Sequence, residues 1–116
     1  MIQFKFTNTE EGREMQDLME HKLHTLEKYL GEETDINCEV EFERVTAHKS
    51  GNVHRVETNL YKGGKMYRAE ATEDSFEKAI DEVRNELDKR LRRDNKKRGA
   101  LMRKGGQILK RMMRRE

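Results

Sequence analysis

The sequence has no proline, one cysteine, few aromatic residues and no apolar run approaching the ~18 residues of a transmembrane helix. Without proline, and with glycines falling at expected turns and in the C-terminal stretch, no linker is expected before residue 98, and no internal repeat is visible. The lone Cys38 has no partner for an internal disulfide and sits in an alternating apolar run, so a buried thiol in a reducing compartment is expected. The first residues, MIQFKFTNTEEG, lack the basic and apolar regions of a secretion signal, and a soluble, cytoplasmic protein is expected. Large apolar residues are scarce too: Leu, Ile, Val and Phe total 22 of 116, while 41% of residues are charged. That composition borders on disorder, but disorder also needs a large net charge, and 25 basic against 23 acidic side chains leave only +2. One lean folded domain is implied, too small for a separate catalytic lobe.

The small net charge conceals a separation along the chain. From Met1 to Asp88 there are 12 Lys and Arg against 21 Asp and Glu, a net of −9. From Lys89 to Glu116 there are 13 Lys and Arg against Asp94 and Glu116, a net of +11. A basic segment on an acidic chain points to a polyanionic partner, nucleic acid or an anionic membrane.

Apolar periodicity gives the elements. Ile2, Phe4 and Phe6 alternate with polar residues, predicting a strand over roughly 2 to 7. Asn8 and Glu11 have capping-box spacing, and Met15, Leu18, Met19, Leu23, Leu26 and Leu30 recur at three- and four-residue steps, predicting one helix of about twenty residues that ends at Gly31. Ile36, Cys38, Val40 and Phe42 predict a second strand with a wet face of Glu39, Glu41 and Glu43. After turn residues Ser50, Gly51 and Asn52, the alternating Val56, Thr58 and Leu60, the Gly63-Gly64 pair, and Tyr67, Ala69 and Ala71 predict an antiparallel meander. Thr72 to Ser75 offer a cap for a last helix with the stripe Phe76, Ile80, Val83, Leu87 and Leu91, which Gly99 is expected to interrupt. The fold class is α+β, in the order β-α-β-β-β-α: a four-stranded sheet, its first two strands parallel and the rest antiparallel, with two helices on one face. The expected division is a domain over 1–98 and a basic, flexible tail over 99–116.

Catalytic signatures are absent. His21, His24, His48 and His54 come with no patterned thiol or carboxylate ligands, and there is no P-loop, dinucleotide fingerprint or nucleophile elbow. No cofactor, metal or small-molecule substrate is expected. The basic run carries more information. A helix C-terminus attracts two or three cations for structural reasons, yet Lys89, Arg90, Arg92, Arg93, Lys96, Lys97 and Arg98 are seven in ten residues. On a helix, Lys89, Arg93, Lys96 and Lys97 share a flank beside Arg92, a ridge suited to tracking phosphates. In the tail, Ile108, Leu109, Met112 and Met113 fall on one side, and Arg103, Lys104, Lys110 and Arg111 are possible further contacts. An arm that orders on RNA and a helix lying on a membrane both use this pattern; Gly99, Gly105 and Gly106 favour the arm, and no membrane partner is expected. The outward sheet face lacks the paired aromatics on which single-stranded bases stack, so phosphate-dominated recognition of a folded RNA is expected.

Three segments carry a family resemblance: KLHTLEKYL (Lys22 to Leu30), HRVETNLYKGGKMYRAEA (His54 to Ala71) and SFEKAIDEVRNELDKRLRRDNKK (Ser75 to Lys97). Their order and spacing resemble the ribosome hibernation-promoting factors, also called ribosome-associated inhibitors or subunit-interface proteins, over residues 1–98. The resemblance implies a β-α-β-β-β-α domain bound to the small ribosomal subunit, in the channel of messenger RNA and of A- and P-site transfer RNAs, where it blocks translation and preserves idle ribosomes under stress. It places RNA contacts on Lys89, Arg92 and Arg93, with Lys96 and Lys97 following, and on Lys22 and Lys28 of the first helix. Glu86 departs from the usual Lys of that motif and Arg90 from a frequent Gln. The chain ends before the dimerisation domain of long members, so self-driven ribosome dimerisation is not carried over; a monomer is expected. The alternative class is a general RNA-binding or ribosome-assembly protein.

Overall fold

The computed structural model describes residues 2–31, 33–46 and 51–113, with side chains described as far as Lys96. Strands β1 (Ile2–Thr7), β2 (Ile36–Arg44), β3 (His54–Lys62) and β4 (Lys65–Glu73) form one sheet in the order β1-β2-β3-β4. β1 and β2 are parallel, with Phe4 opposite Val40, and both later pairings are antiparallel. Helices α1 (Glu11–Glu14) and α2 (Gln16–His24) and a 3₁₀ turn (Glu27–Tyr29) fill the crossover, and α3 (Phe76–Met113) follows β4. The α+β class, the mixed sheet and the strand order are those expected from the sequence.

The alternation of the strands becomes a division between a buried and an open face. Cys38, Val40, Phe42, Val56, Thr58, Leu60, Tyr67, Ala69 and Ala71 are buried on one side. Against them lie Met19, Leu23 and Leu26 of the first helical segment and the α3 stripe. Phe76, Ile80, Val83, Leu87 and Leu91 are all fully buried, and α3 rests mainly on β4 and β3, where Ala69 and Ala71 keep the sheet surface low. Phe42 is the centre of an aromatic group, stacked with Phe4 and Phe6 and edge-on to Phe76 at 5.5 Å. Gly63 and Gly64 both have positive φ, the conformation a two-residue hairpin turn demands.

The first helical segment differs from the expected single helix. The backbone stays right-handed at the junctions, but its hydrogen bonds tighten to three-residue spacing at Met15, Thr25 and Leu26, so the coil divides into α1, α2 and the 3₁₀ turn. The Thr25 hydroxyl donates to the Lys22 carbonyl at 2.6 Å, competing with helical bonding at that point. The capping box is also replaced. Asn8 takes a left-handed conformation (φ 57°), and the Thr9 hydroxyl accepts the Gly12 N–H at 3.0 Å. Gly12 is therefore no turn glycine: it is buried, and a Cβ there would lie 2.8 Å from the Phe42 Cβ. Ser75 caps α3 as expected, accepting the Lys78 N–H at 3.2 Å. The helix then runs through Gly99 instead of breaking there. One glycine costs about 1 kcal/mol against alanine, which the neighbouring Arg98, Ala100, Leu101 and Met102 offset as good helix formers.

The end of the first helical segment is fixed by its carbonyls. Buried Lys62 donates to the Tyr29 carbonyl at 2.9 Å, and Asn95 of α3 donates to the same oxygen at 3.3 Å. With Lys22 on Asp81 and Arg84 on Thr25, these contacts set the first segment and α3 side by side, running the same way. Phe42→Ala should cost about 3–5 kcal/mol of stability by opening a cavity. Gly12→Ala should cost about 1–3 kcal/mol by crowding Phe42. Urea unfolding should show both as lower midpoints at unchanged slope.

Candidate nucleic-acid interface

The ridge follows from the rotation of α3. With Leu87 and Leu91 buried, a 100° step per residue turns Lys89, Arg93 and Lys96 away from the sheet and Arg92 toward the first helical segment. All four are exposed. Among the described residues none of the four has an ion-pair partner, whereas most cations elsewhere in the domain do. Lys28 is exposed as well, its ammonium 5.2 Å from the Tyr29 ring centroid.

Two other cations singled out in the sequence are already engaged. Lys22 reaches Asp81 across the helix pair at 3.0 Å, and Arg90 is held by Glu86 one turn back, also at 3.0 Å. Arg84, unremarked in the sequence, donates to the Thr25 hydroxyl at 2.9 Å and pairs with Asp88. The side chains of Lys97, Arg98, Arg103, Lys104, Lys110 and Arg111 lie outside the described residues, and so does His48. The helix axis itself continues to Met113.

The sequence profile described as sigma 54 modulation protein / S30EA ribosomal protein matches residues 2–99. The chain belongs to that family. Two solved structures share the fold of this S30EA family member. One is a ribosomal subunit interface protein from Coxiella burnetii, with 20% identity, a TM-score of 0.63, and coverage of 81% of this chain and 96% of that one. The other is the N-terminal domain of Thermus thermophilus Protein Y, with 23% identity, a TM-score of 0.64, and coverage of 80% of this chain and 98% of that one. No curated protein matches. Among the described residues of this family member, no group of three His, Cys, Asp or Glu side chains is placed to hold a metal ion, and no helix is long and apolar enough to cross a membrane.

The opposite face of the S30EA fold is built differently. Arg55, half-buried on the open side of the sheet, contacts Glu41, Glu43, Glu57 and Glu70 on three strands, and Arg68 joins Glu57 and Glu70. Burial disfavours the Arg55 charge, but the hydrogen bonds it donates to Glu70 and Glu57 outweigh it and keep the guanidinium firmly protonated. Its hydrogen bond in turn lowers the Glu70 carboxyl below its usual 4.5, against a smaller opposing effect of burial. Among the described residues Tyr61 is the one aromatic ring exposed on this face, and hydrogen bonding to Glu39 raises its hydroxyl pKa. Carboxylates and one phenol offer no stacking platform for bases and disfavour phosphate.

Sequence reading missed the counter-ions. Glu86 and Arg90 stand four apart, a detectable helical pair, while the Lys22–Asp81 contact depends on the packing of two helices and leaves no local signal. Arg55→Met should remove the one cation common to four carboxylates and lower stability at neutral pH by about 2–3 kcal/mol, less than for a fully buried pair. A carboxyl with a lowered folded pKa contributes stability above its unfolded pKa and loses it as pH falls through the folded value. The deficit of Arg55→Met should therefore shrink on acidification, read by urea unfolding at neutral pH and near pH 4.

Proposed function

We propose that this S30EA family member is a ribosome-binding translation inhibitor of the hibernation type. It docks on the small subunit through the α3 ridge and occupies the channel of messenger RNA and of A- and P-site transfer RNAs. The observation that carries this reading is the set of four exposed cations, Lys89, Arg92, Arg93 and Lys96, without an ion-pair partner among the described residues, on a helix locked to the sheet by Leu87 and Leu91. Lys28 lies on the accompanying segment, and Lys97, Arg98 and the tail cations Arg103, Lys104, Lys110 and Arg111 follow in the sequence. Family membership supports the ribosome as the RNA in question. The mechanism is binding alone: the folded domain excludes messenger and transfer RNA by volume, as a cytoplasmic monomer without cofactor, and accumulates on ribosomes in starved cells.

Phosphate recognition of this kind releases counterions, so the logarithm of small-subunit affinity should fall against the logarithm of salt with a slope of roughly −4 to −6. Replacing Lys89, Arg92, Arg93 and Lys96 together by Ala should flatten that slope by about 3 to 4 and abolish inhibition of translation in an extract, with an unchanged melting transition. Normal binding by the quadruple variant would sink this surface assignment. Sedimentation of the protein with ribosomes in fast-growing cells as much as in starved ones would favour an assembly or general RNA-binding role.

A further inference from the structure

The same helix carries opposite charge along its length. Between Glu73 and Asp88 there are seven carboxylates against Lys78 and Arg84; between Lys89 and Lys96 there are five cations against Asp94. More cations at the end of a helix are expected from its dipole, but the dipole does not account for what the carboxylates touch. Asp81 takes Lys22 from the neighbouring helical segment, and Glu86 takes Arg90 from the start of the basic run itself. Glu82, on the outward side between them, has no cation within ion-pair distance among the described residues and instead meets Glu73, whose charge, after burial, raises its carboxyl pKa.

Resting on the proposed RNA docking, we propose that Asp81, Glu82 and Glu86 are positioning residues: they confine an RNA phosphate backbone to the second half of α3 and so set specificity for a folded site over any RNA strand. At a rise of 1.5 Å per residue, Asp81 and Arg93 are about 18 Å apart along the axis. That exceeds the ~8 Å screening length at physiological salt, so phosphates seated at Arg93 are little affected by Asp81. A strand sliding toward the helix start meets Glu86, then Glu82, and finds Lys22 and Arg90 already taken. A flexible strand thus loses most of its alternative registers. A folded RNA whose phosphates match Lys89, Arg92, Arg93 and Lys96 loses little, because of the three carboxylates only Glu86, one turn before Lys89 and already paired with Arg90, lies within the screening length. The carboxylates lower general affinity for RNA and leave the matched site intact.

The test is the triple variant Asp81→Asn, Glu82→Gln, Glu86→Gln, with none of its positions in the buried stripe. Binding to poly-uridylate and to purified small subunits is measured over a salt series beside the parent protein. Freed Lys22 and Arg90 should steepen the poly-uridylate salt slope by about 1 to 2 and tighten that binding about tenfold, with small-subunit affinity changing less than threefold. An unchanged poly-uridylate slope and affinity would overturn the inference, and so would an equal gain on both RNAs. Glu86→Gln alone breaks a single exposed ion pair and supplies the same reading at about half the slope change should the triple variant unfold. Parent protein that fails to bind small subunits at low salt would refute the docking itself, a result distinct from a parent that binds while the variant stays equally selective.

Discussion

Burial of one stripe of α3 against the sheet is the constraint on which everything else depends. Phe76, Ile80, Val83, Leu87 and Leu91 leave no freedom for the helix to rotate, since any turn about its axis would bring charged neighbours onto the apolar face of β3 and β4. Because a helix repeats every 3.6 residues, fixing the inward side also fixes the outward one. Lys89, Arg93 and Lys96 point outward for the same reason that Leu87 and Leu91 point inward. One helix thus supplies much of a small core and the whole of the described ridge.

The two surfaces treat charge in opposite ways. On the open side of the sheet the carboxylates are gathered around Arg55 and Arg68, so attraction within the fold offsets part of their charge. On α3 the cations at 89, 92, 93 and 96 repel one another at three- and four-residue spacing and have no described partner. A surface selected for stability alone would interleave the signs, as Lys78 with Asp74 and Arg90 with Glu86 do. Unbalanced charge on a rigid support is what an electrostatic binding surface requires, at some cost in folding free energy.

Much of the fold could be read in the sequence because a single rule, period two or period three to four, governed each segment. The meander was legible from Cys38, Val40 and Phe42, from Val56 to Leu60, and from the paired glycines, since turn chemistry and alternation agreed. The first helical segment was less legible. Its apolar spacing suits a continuous helix, but the bonds of Thr9 and Thr25 and the close approach of Gly12 to Phe42 depend on what packs beside them. In the site, the outward cations followed from helical rotation alone. The neutralised ones, Lys22 above all, required knowing which face of one helix meets another, and Lys62 reads as the polar end of β3 until the Tyr29 carbonyl is seen beneath it.

The placement of β1 has a consequence for how the domain breathes. β1 is an edge strand whose parallel partner lies more than thirty residues away in sequence, Ile2 facing Cys38, whereas β2, β3 and β4 are consecutive and antiparallel. Loop closure over that distance makes β1 the costliest strand to dock and the first to fray. Since α3 is seated on β3 and β4 at the far side, such local opening would bare Phe4 and Phe6 yet leave the cationic helix mounted. A chain caught in this half-open state keeps α3 in place while presenting a sticky apolar margin, which makes the amino-terminal strand the place where misfolding and self-association would begin.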